Sequence, residues 1–141
     1  VSKGINNFLV NIGGELSARG LNNNKEQWTI GIQDPRNAGI VKKIELNNES
    51  IATSGTYMNY NEIDNTNYPH IINPVIGNPV PNHVISVTII SDRCVDADAI
   101  ATMTIALGYT KMIDVLNKIE GIDYYIIVDG SEGIELVSSF E

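Results

Sequence analysis

Asp92-Arg93-Cys94-Val95-Asp96-Ala97-Asp98-Ala99-Ile100-Ala101-Thr102-Met103-Thr104-Ile105-Ala106-Leu107-Gly108 comes after an apolar run from Val84 to Ile90. The run reads as a buried strand. The quoted stretch reads as a helix, because Ala, Met and Leu favour helix and neither Pro nor Gly interrupts it before Gly108. Val95, Ala99, Met103 and Ala106 fall on one stripe at helical spacing, with Ile100 and Leu107 beside it. Asp98 and Thr102 are four residues apart and share a different face. An anionic oxygen and a hydroxyl one turn apart suit a hard cation such as Mg²⁺, whose other ligands are waters and substrate phosphate. A structural reading stands beside this one. An Asp in the first turn favours the positive end of the helix dipole. A Thr inside a helix often bonds its own preceding turn. Asp96 is an equal candidate for the cap.

Working outward, Gly108 separates this helix from a second amphipathic one over 111–119, with Met112, Ile113, Leu116 and Ile119 apolar and Gly121 closing it. Strands are expected at 123–128 and 134–137, with Asp129-Gly130-Ser131 as the turn between them. On the N-terminal side, Asn6 to Ile12 reads as a mostly buried strand running into Gly13-Gly14-Glu15. The paired glycines allow a tight turn or the close approach of a ligand. Asn22 to Glu26 reads as a hairpin loop, and 27–33 alternates as a strand that ends at Asp34-Pro35. Further strands are expected at 40–46 and 50–57, and Asp64-Asn65 reads as a hairpin tip. Four of the five prolines lie between 69 and 81, which makes that segment an ordered loop and not a helix. The expected class is α+β: a mostly antiparallel sheet with two consecutive helices packed on it.

The chain has 141 residues, which is the size of one domain with a real core. Hydrophobic residues make up 43% and charged residues 18%, a globular balance. A net charge of −8 argues against nucleic acid as a partner. It also means that a polyanionic ligand needs a cation or backbone amides to be tolerated. Cys94 is the sole cysteine, so no disulfide within the chain is possible. With no His or basic cluster near it in sequence, it reads as a small residue at a strand-to-helix junction and not as a nucleophile. No run of 18 apolar residues is present, and no signal peptide is expected within these residues.

Four polar clusters interrupt apolar elements: Asn11 with Gly13, Gly14 and Glu15; Thr53-Ser54-Gly55; His70 before Ile71-Ile72; and Asp98 with Thr102. Each has an ordinary reading. Asn11 suits a strand end that satisfies a turn, Thr53 and Ser54 suit an edge strand, Glu15 suits solvent, and a lone His suits a packed core. Together they are the parts of a site that holds a phosphate-bearing ligand with a metal and transfers it.

Phe8-Leu9-Val10-Asn11-Ile12-Gly13-Gly14-Glu15, Trp28 with Gly31-Ile32 and Asp34-Pro35, Ala52-Thr53-Ser54-Gly55, His70-Ile71-Ile72-Asn73-Pro74 with Gly77 and Pro79, and Ala97-Asp98-Ala99 with Ala101-Thr102 and Gly108 follow one another in this order. In these motifs the sequence resembles the C-terminal half of the ApbE family, the FAD:protein FMN transferases. Family members are about twice as long. Their Gly-x-x-Ala-Lys-Gly-type segment is not matched by Lys3-Gly4. The expectation is therefore that residues 1–141 are the C-terminal part of such a domain, without its N-terminal half.

The resemblance implies roles. Asp98 and Thr102 match the side-chain ligands of the catalytic Mg²⁺. Asn11, Gly13, Gly14 and Glu15 match a segment lining the flavin site, and Thr53, Ser54 and Gly55 match another wall of it. His70 matches the catalytic histidine, and an imidazole can take the proton of an acceptor hydroxyl at neutral pH. The implied reaction cuts FAD at its pyrophosphate, releases AMP and leaves FMN ester-linked to a Thr or Ser. The implied acceptor is a flavoprotein subunit of a membrane redox complex. The implied location is the cell envelope, at the outer face of the inner membrane, reached through a lipoprotein anchor outside this chain. Some relatives instead hydrolyse FAD to FMN and AMP. The alternatives are such an FAD pyrophosphatase, or an FAD-binding module without transferase activity. Two positions depart from the family: Asn73 stands where Asp is usual, and Ile76 where Thr is frequent. Asn keeps hydrogen bonding but lacks the charge, so Asn73 is not read as a metal ligand.

Overall fold

The computed structural model describes residues 3–56, 60–63, 66–79, 83–131 and 133–140, with backbone alone for 60–63 and 66–69. Its centre is an antiparallel sheet of six strands. They are β1 (Phe8–Ile12), β2 (Glu15–Arg19), β5 (Ser50–Gly55), β8 (Val84–Ser91), β9 (Ile122–Gly130) and β10 (Gly133–Ser138), in that spatial order. Between β2 and β5 the chain leaves the sheet to form a separate hairpin of β3 (Trp28–Gln33) and β4 (Ile40–Leu46). A second small hairpin joins β6 (Tyr60–Ile63) to β7 (Thr66–Pro69). Helices α1 (Cys94–Leu107) and α2 (Tyr109–Leu116) follow β8. The α+β class, the antiparallel pairing and the two consecutive helices are as the sequence predicts.

The sheet is covered on both faces, and side-chain alternation decides what goes where. Ala52, Val87, Ile89, Tyr124, Ile126 and Val128 pack with Ala97, Ala101 and Ile105 of α1 and Met112 and Leu116 of α2. Their neighbours Ile51, Ile90, Tyr125 and Ile127 point the other way and pack with Ile32, Ile44 and Leu46 of the β3–β4 hairpin. This two-sided burial explains why β8 and β9 read as near-continuous apolar runs. Trp28 Nε1 donates to Arg19 O at 3.1 Å, which ties the hairpin layer to β2.

Several expectations change. Asn22 to Glu26 is not a hairpin loop, because β2 pairs with β1 and β5 while β3 pairs with β4; the segment passes between sheets. β1 is not mostly buried. It is an edge strand, with Ile12 at 72% exposure. The α1 stripe of Val95, Ala99 and Met103 faces outward, and the sheet is met by Ala97, Ala101, Thr104 and Ile105 instead. α1 is apolar nearly all round, so periodicity alone does not choose its inner face. Arg93, and not Asp96, occupies the N-cap, with no side-chain cap bond. The tip Asp64-Asn65 lies outside the described residues, and the arms on either side pair as predicted, Glu62 with Asn67.

Candidate functional site

Helix α1 runs from the end of β8 back across β5. Its first turn therefore lies over the Ser50 end of β5, and Thr102 lies over the Ser54 end. Ser54 Oγ and Thr102 Oγ1 share a hydrogen bond at 3.0 Å. Thr102 thus turns its hydroxyl to the sheet, not to its own preceding turn. The back-bonding expected of a helical threonine belongs to buried Thr104, whose Oγ1 donates to Ala101 O at 2.9 Å. Asp98, one turn earlier, is exposed.

Glu15 opens β2, beside the first turns of α1. Burial pushes the Cys94 thiol pKa up, and the carboxylates of Glu15 and Asp98 push it further in the same direction. Two acidic side chains from distant parts of the chain therefore lie close enough to one thiol to repel its anion. Cys94 stays protonated at neutral pH, which agrees with its reading as a junction residue.

Gly13 and Gly14 form a two-residue turn between Ile12 and Glu15, with φ of +71° and +118°. Positive φ at both positions is what a tight hairpin turn demands, and only glycine adopts it without strain. Asn11 Oδ1 accepts from Gly14 N–H at 3.1 Å, so Asn11 braces the turn. The glycines line a cleft of about 260 Å³ together with Thr53, Gly55 and the β3 residues Ile30, Gly31, Ile32 and Gln33.

The structure thus divides the Thr53-Ser54-Gly55 motif. Thr53 bonds Thr88 Oγ1 at 2.8 Å and faces the glycine cleft on the hairpin side. Ser54, one residue on, faces α1 and Thr102. Ile30 and Gln33 of the cleft wall carry no polar motif that sequence reading could have singled out. Their place follows only from the β3–β4 hairpin folding over the sheet.

His70 is exposed, at the end of β7, which overturns the packed-core reading. The loop after it is fastened to the far end of α1: Asn73 Nδ2 donates to Ala106 O at 2.9 Å. Chain connectivity and this bond tie His70 to the helix that carries Asp98 and Thr102.

Three oxygen donors stand together where α1 crosses β5: the exposed Asp98 carboxylate, the exposed Thr102 hydroxyl and the half-buried Ser54 hydroxyl that contacts it. Such a set fits a hard cation completed by water and substrate phosphate. Among the described residues, no group of three or more His, Cys, Asp or Glu is placed to hold a metal ion on its own. No helix among them is long and apolar enough to cross a membrane.

The sequence model of the ApbE family matches residues 1–126. A protein named FAD:protein FMN transferase from Salmonella typhimurium is 35% identical over 135 residues, which cover 94% of this chain and 38% of the relative. One of the same name from Vibrio cholerae is 42% identical over 109 residues, covering 76% of this chain and 33% of the relative. The solved structure of the flavin transferase ApbE from Vibrio cholerae matches with a TM-score of 0.83 at 33% identity, covering 98% of this chain and 44% of that one. The chain therefore spans less than half the length of these relatives.

Proposed function

The chain belongs to the ApbE family, and on that premise we propose that the polypeptide carrying it transfers FMN from FAD to a Thr or Ser hydroxyl of a protein acceptor. The observation that carries the reading is the convergence at α1. Ser54 meets Thr102 across the sheet–helix interface, and Glu15 and Asp98 both lie within electrostatic reach of Cys94. The glycine turn closes the same end of β2.

In this reading the acceptor oxygen forms a bond to the phosphorus on the FMN side of the diphosphate. The bond from that phosphorus to the bridging oxygen breaks, and AMP leaves with the bridging oxygen and its electron pair. The acceptor proton passes to a ring nitrogen of His70. Asp98 and Thr102 are the side chains that would hold Mg²⁺, which when bound offsets negative charge on the diphosphate. Glycines 13 and 14 let backbone approach the flavin part of the ligand, and Thr53 and Gly55 shape the cleft beside them. Glu15 and Asn11 frame this wall, Asn11 by fixing the turn.

The acceptor, in the same proposal, is a flavoprotein subunit of a membrane redox complex, met at the outer face of the inner membrane. The family resemblance alone supports that extension.

The test is incubation of the polypeptide with FAD, Mg²⁺ and a Thr-containing acceptor peptide, followed by mass spectrometry. FMN on the peptide is the expected product. Free FMN with AMP would instead make the protein an FAD pyrophosphatase. Retention of intact FAD without turnover would make it a flavin-binding module.

A further inference from the structure

We propose that Glu15 supports the cation from β2: its carboxylate accepts a hydrogen bond from a water on the divalent ion that Asp98 and Thr102 hold. The proposal deepens the transferase reading and rests on it.

Strands β2 and β5 pair with Leu16 opposite Ile51 and Ser17 opposite Ser50. One step further along this register, Glu15 comes level with Ala52. Ile51 belongs to the layer under the β3–β4 hairpin, and Ala52 to the layer under α1. Strand side chains alternate, so Glu15 rises from the same face as Ala52 and Ser54, the face that α1 crosses. Neighbouring strands lie about 4.7–4.9 Å apart, which sets Glu15 one strand over from the Ser54–Thr102 contact. Its carboxylate folds back onto the glycine turn, where a Cβ on Gly13 would stand 3.0 Å from Oε2. The Cys94 thiol is opposed by Glu15 and Asp98 together, so both carboxylates border the first turns of α1.

The Glu15 side chain is half-buried and makes no hydrogen bond or ion pair among the described residues. Arg19, on the same face of the same strand, does not neutralise it. Arg19 Nη1 donates to Asn48 O and, at 3.0 Å, to Ala18 O, and Nη2 donates to Asp92 O at 3.1 Å. That guanidinium is engaged by backbone carbonyls. Two carboxylates at one place repel, and the diphosphate of FAD adds further negative charge. A divalent cation offsets all of it, and in its presence the Glu15 carboxylate turns from a source of repulsion into support.

Mg²⁺ dehydrates reluctantly and keeps several waters in its octahedron. Helix α1 supplies two side-chain ligands, and no three His, Cys, Asp or Glu among the described residues gather to hold an ion directly. The waters that remain on the ion need acceptors. An ionised carboxylate is acceptor-only, and that of Glu15 has both oxygens unengaged among the described residues. Removing such a supporting acceptor costs about 10–100-fold in metal affinity.

The experiment titrates Mn²⁺ into the full natural polypeptide that contains this chain, with FAD present and acceptor absent, and reads free Mn²⁺ by EPR. Glu15→Gln and Glu15→Asp are compared with the unaltered protein. Both are expected to raise the Kd for Mn²⁺ by about tenfold or more, with thermal melts unchanged. Glu15→Asp keeps the charge but shortens the reach. Unaltered affinity in Glu15→Asp beside a loss in Glu15→Gln would mean a distant field and not a water contact, and overturns the proposal. Unchanged affinity in both variants overturns it too. If Glu15→Gln fails to fold, Glu15→Asp decides the matter.

Flavin fluorescence in metal-free buffer gives the opposite sign. There Glu15→Gln removes a negative charge near the diphosphate, so FAD should bind at least as tightly as before. Weaker FAD binding without metal would make Glu15 a flavin contact instead, and overturns the proposal. If the unaltered polypeptide binds Mn²⁺ but moves no FMN to an acceptor, the transferase reading fails while the Glu15 result stands. If it binds no Mn²⁺, the role of Glu15 falls with the metal site.

Discussion

The hydroxyls of Ser54 and Thr102, 48 positions apart in sequence, lie 3.0 Å from each other. The contact couples the strand that walls the glycine cleft to the helix that presents Asp98. It also holds the Thr102 oxygen clear of its own helix. Replacing Ser54 with Ala should weaken divalent-cation binding by roughly tenfold, the lower end of what lost support behind a ligand costs. Mn²⁺ titration by calorimetry in the presence of FAD measures this. Both side chains reach solvent, so stability should change by no more than about 1 kcal/mol.

Asp98→Ala should abolish Mg²⁺-dependent turnover of FAD in the full polypeptide while leaving the fold intact. The carboxylate is exposed and makes no hydrogen bond or ion pair among the described residues, so its loss should shift Tm little. Turnover assays with and without chelator, beside thermal melts, test both halves. Near-normal activity in Asp98→Ala would refute the metal assignment.

Cys94 and Tyr125 set an alkaline limit. Burial raises both pKa values, and Glu15 and Asp98 add to the rise at Cys94. A group whose folded pKa is raised contributes stability that is complete below its unfolded pKa and is lost as pH rises through the folded one. Unfolding free energy should therefore hold up to about pH 9, the ordinary thiol value, and decline above it. Urea melts from pH 7 to 11 follow the decline. Iodoacetamide should modify Cys94 slowly at pH 8, and faster in Glu15→Gln.

The two apolar layers should dominate stability. Ile127 is fully buried between β9 and the β3–β4 hairpin, and Ile127→Ala should cost about 2–5 kcal/mol. The Arg36–Asp129 ion pair joins the same hairpin to β9, but both side chains are about half exposed. Arg36→Ala should cost no more than about 1 kcal/mol. Urea denaturation of both variants at constant m-value ranks the two contacts.

Much of the fold is legible in the chain. Ile40–Leu46 is read to the residue, and the helix over Cys94–Leu107 falls within the stretch that announces it. Strand edges at β1, β3, β5 and β9 shift by one to two residues, where local pattern is weakest. The face α1 buries is not legible, because small apolar residues surround the helix. Asn22 to Glu26 looks like any polar hairpin loop, since nothing local tells which strand its neighbours will pair with.

By itself the sequence determined the antiparallel α+β class, the glycine turn, and the one-turn spacing of Asp98 and Thr102. All of these rest on local periodicity and backbone preference, which act within a few residues. Only the tertiary structure decided that Ser54 meets Thr102 while Thr53 faces the glycine cleft. It alone set the Asn73 amide on the Ala106 carbonyl and left His70 exposed. Those outcomes depend on sheet register and on which helix face finds the core, and a register shift of one residue reverses every side chain's direction.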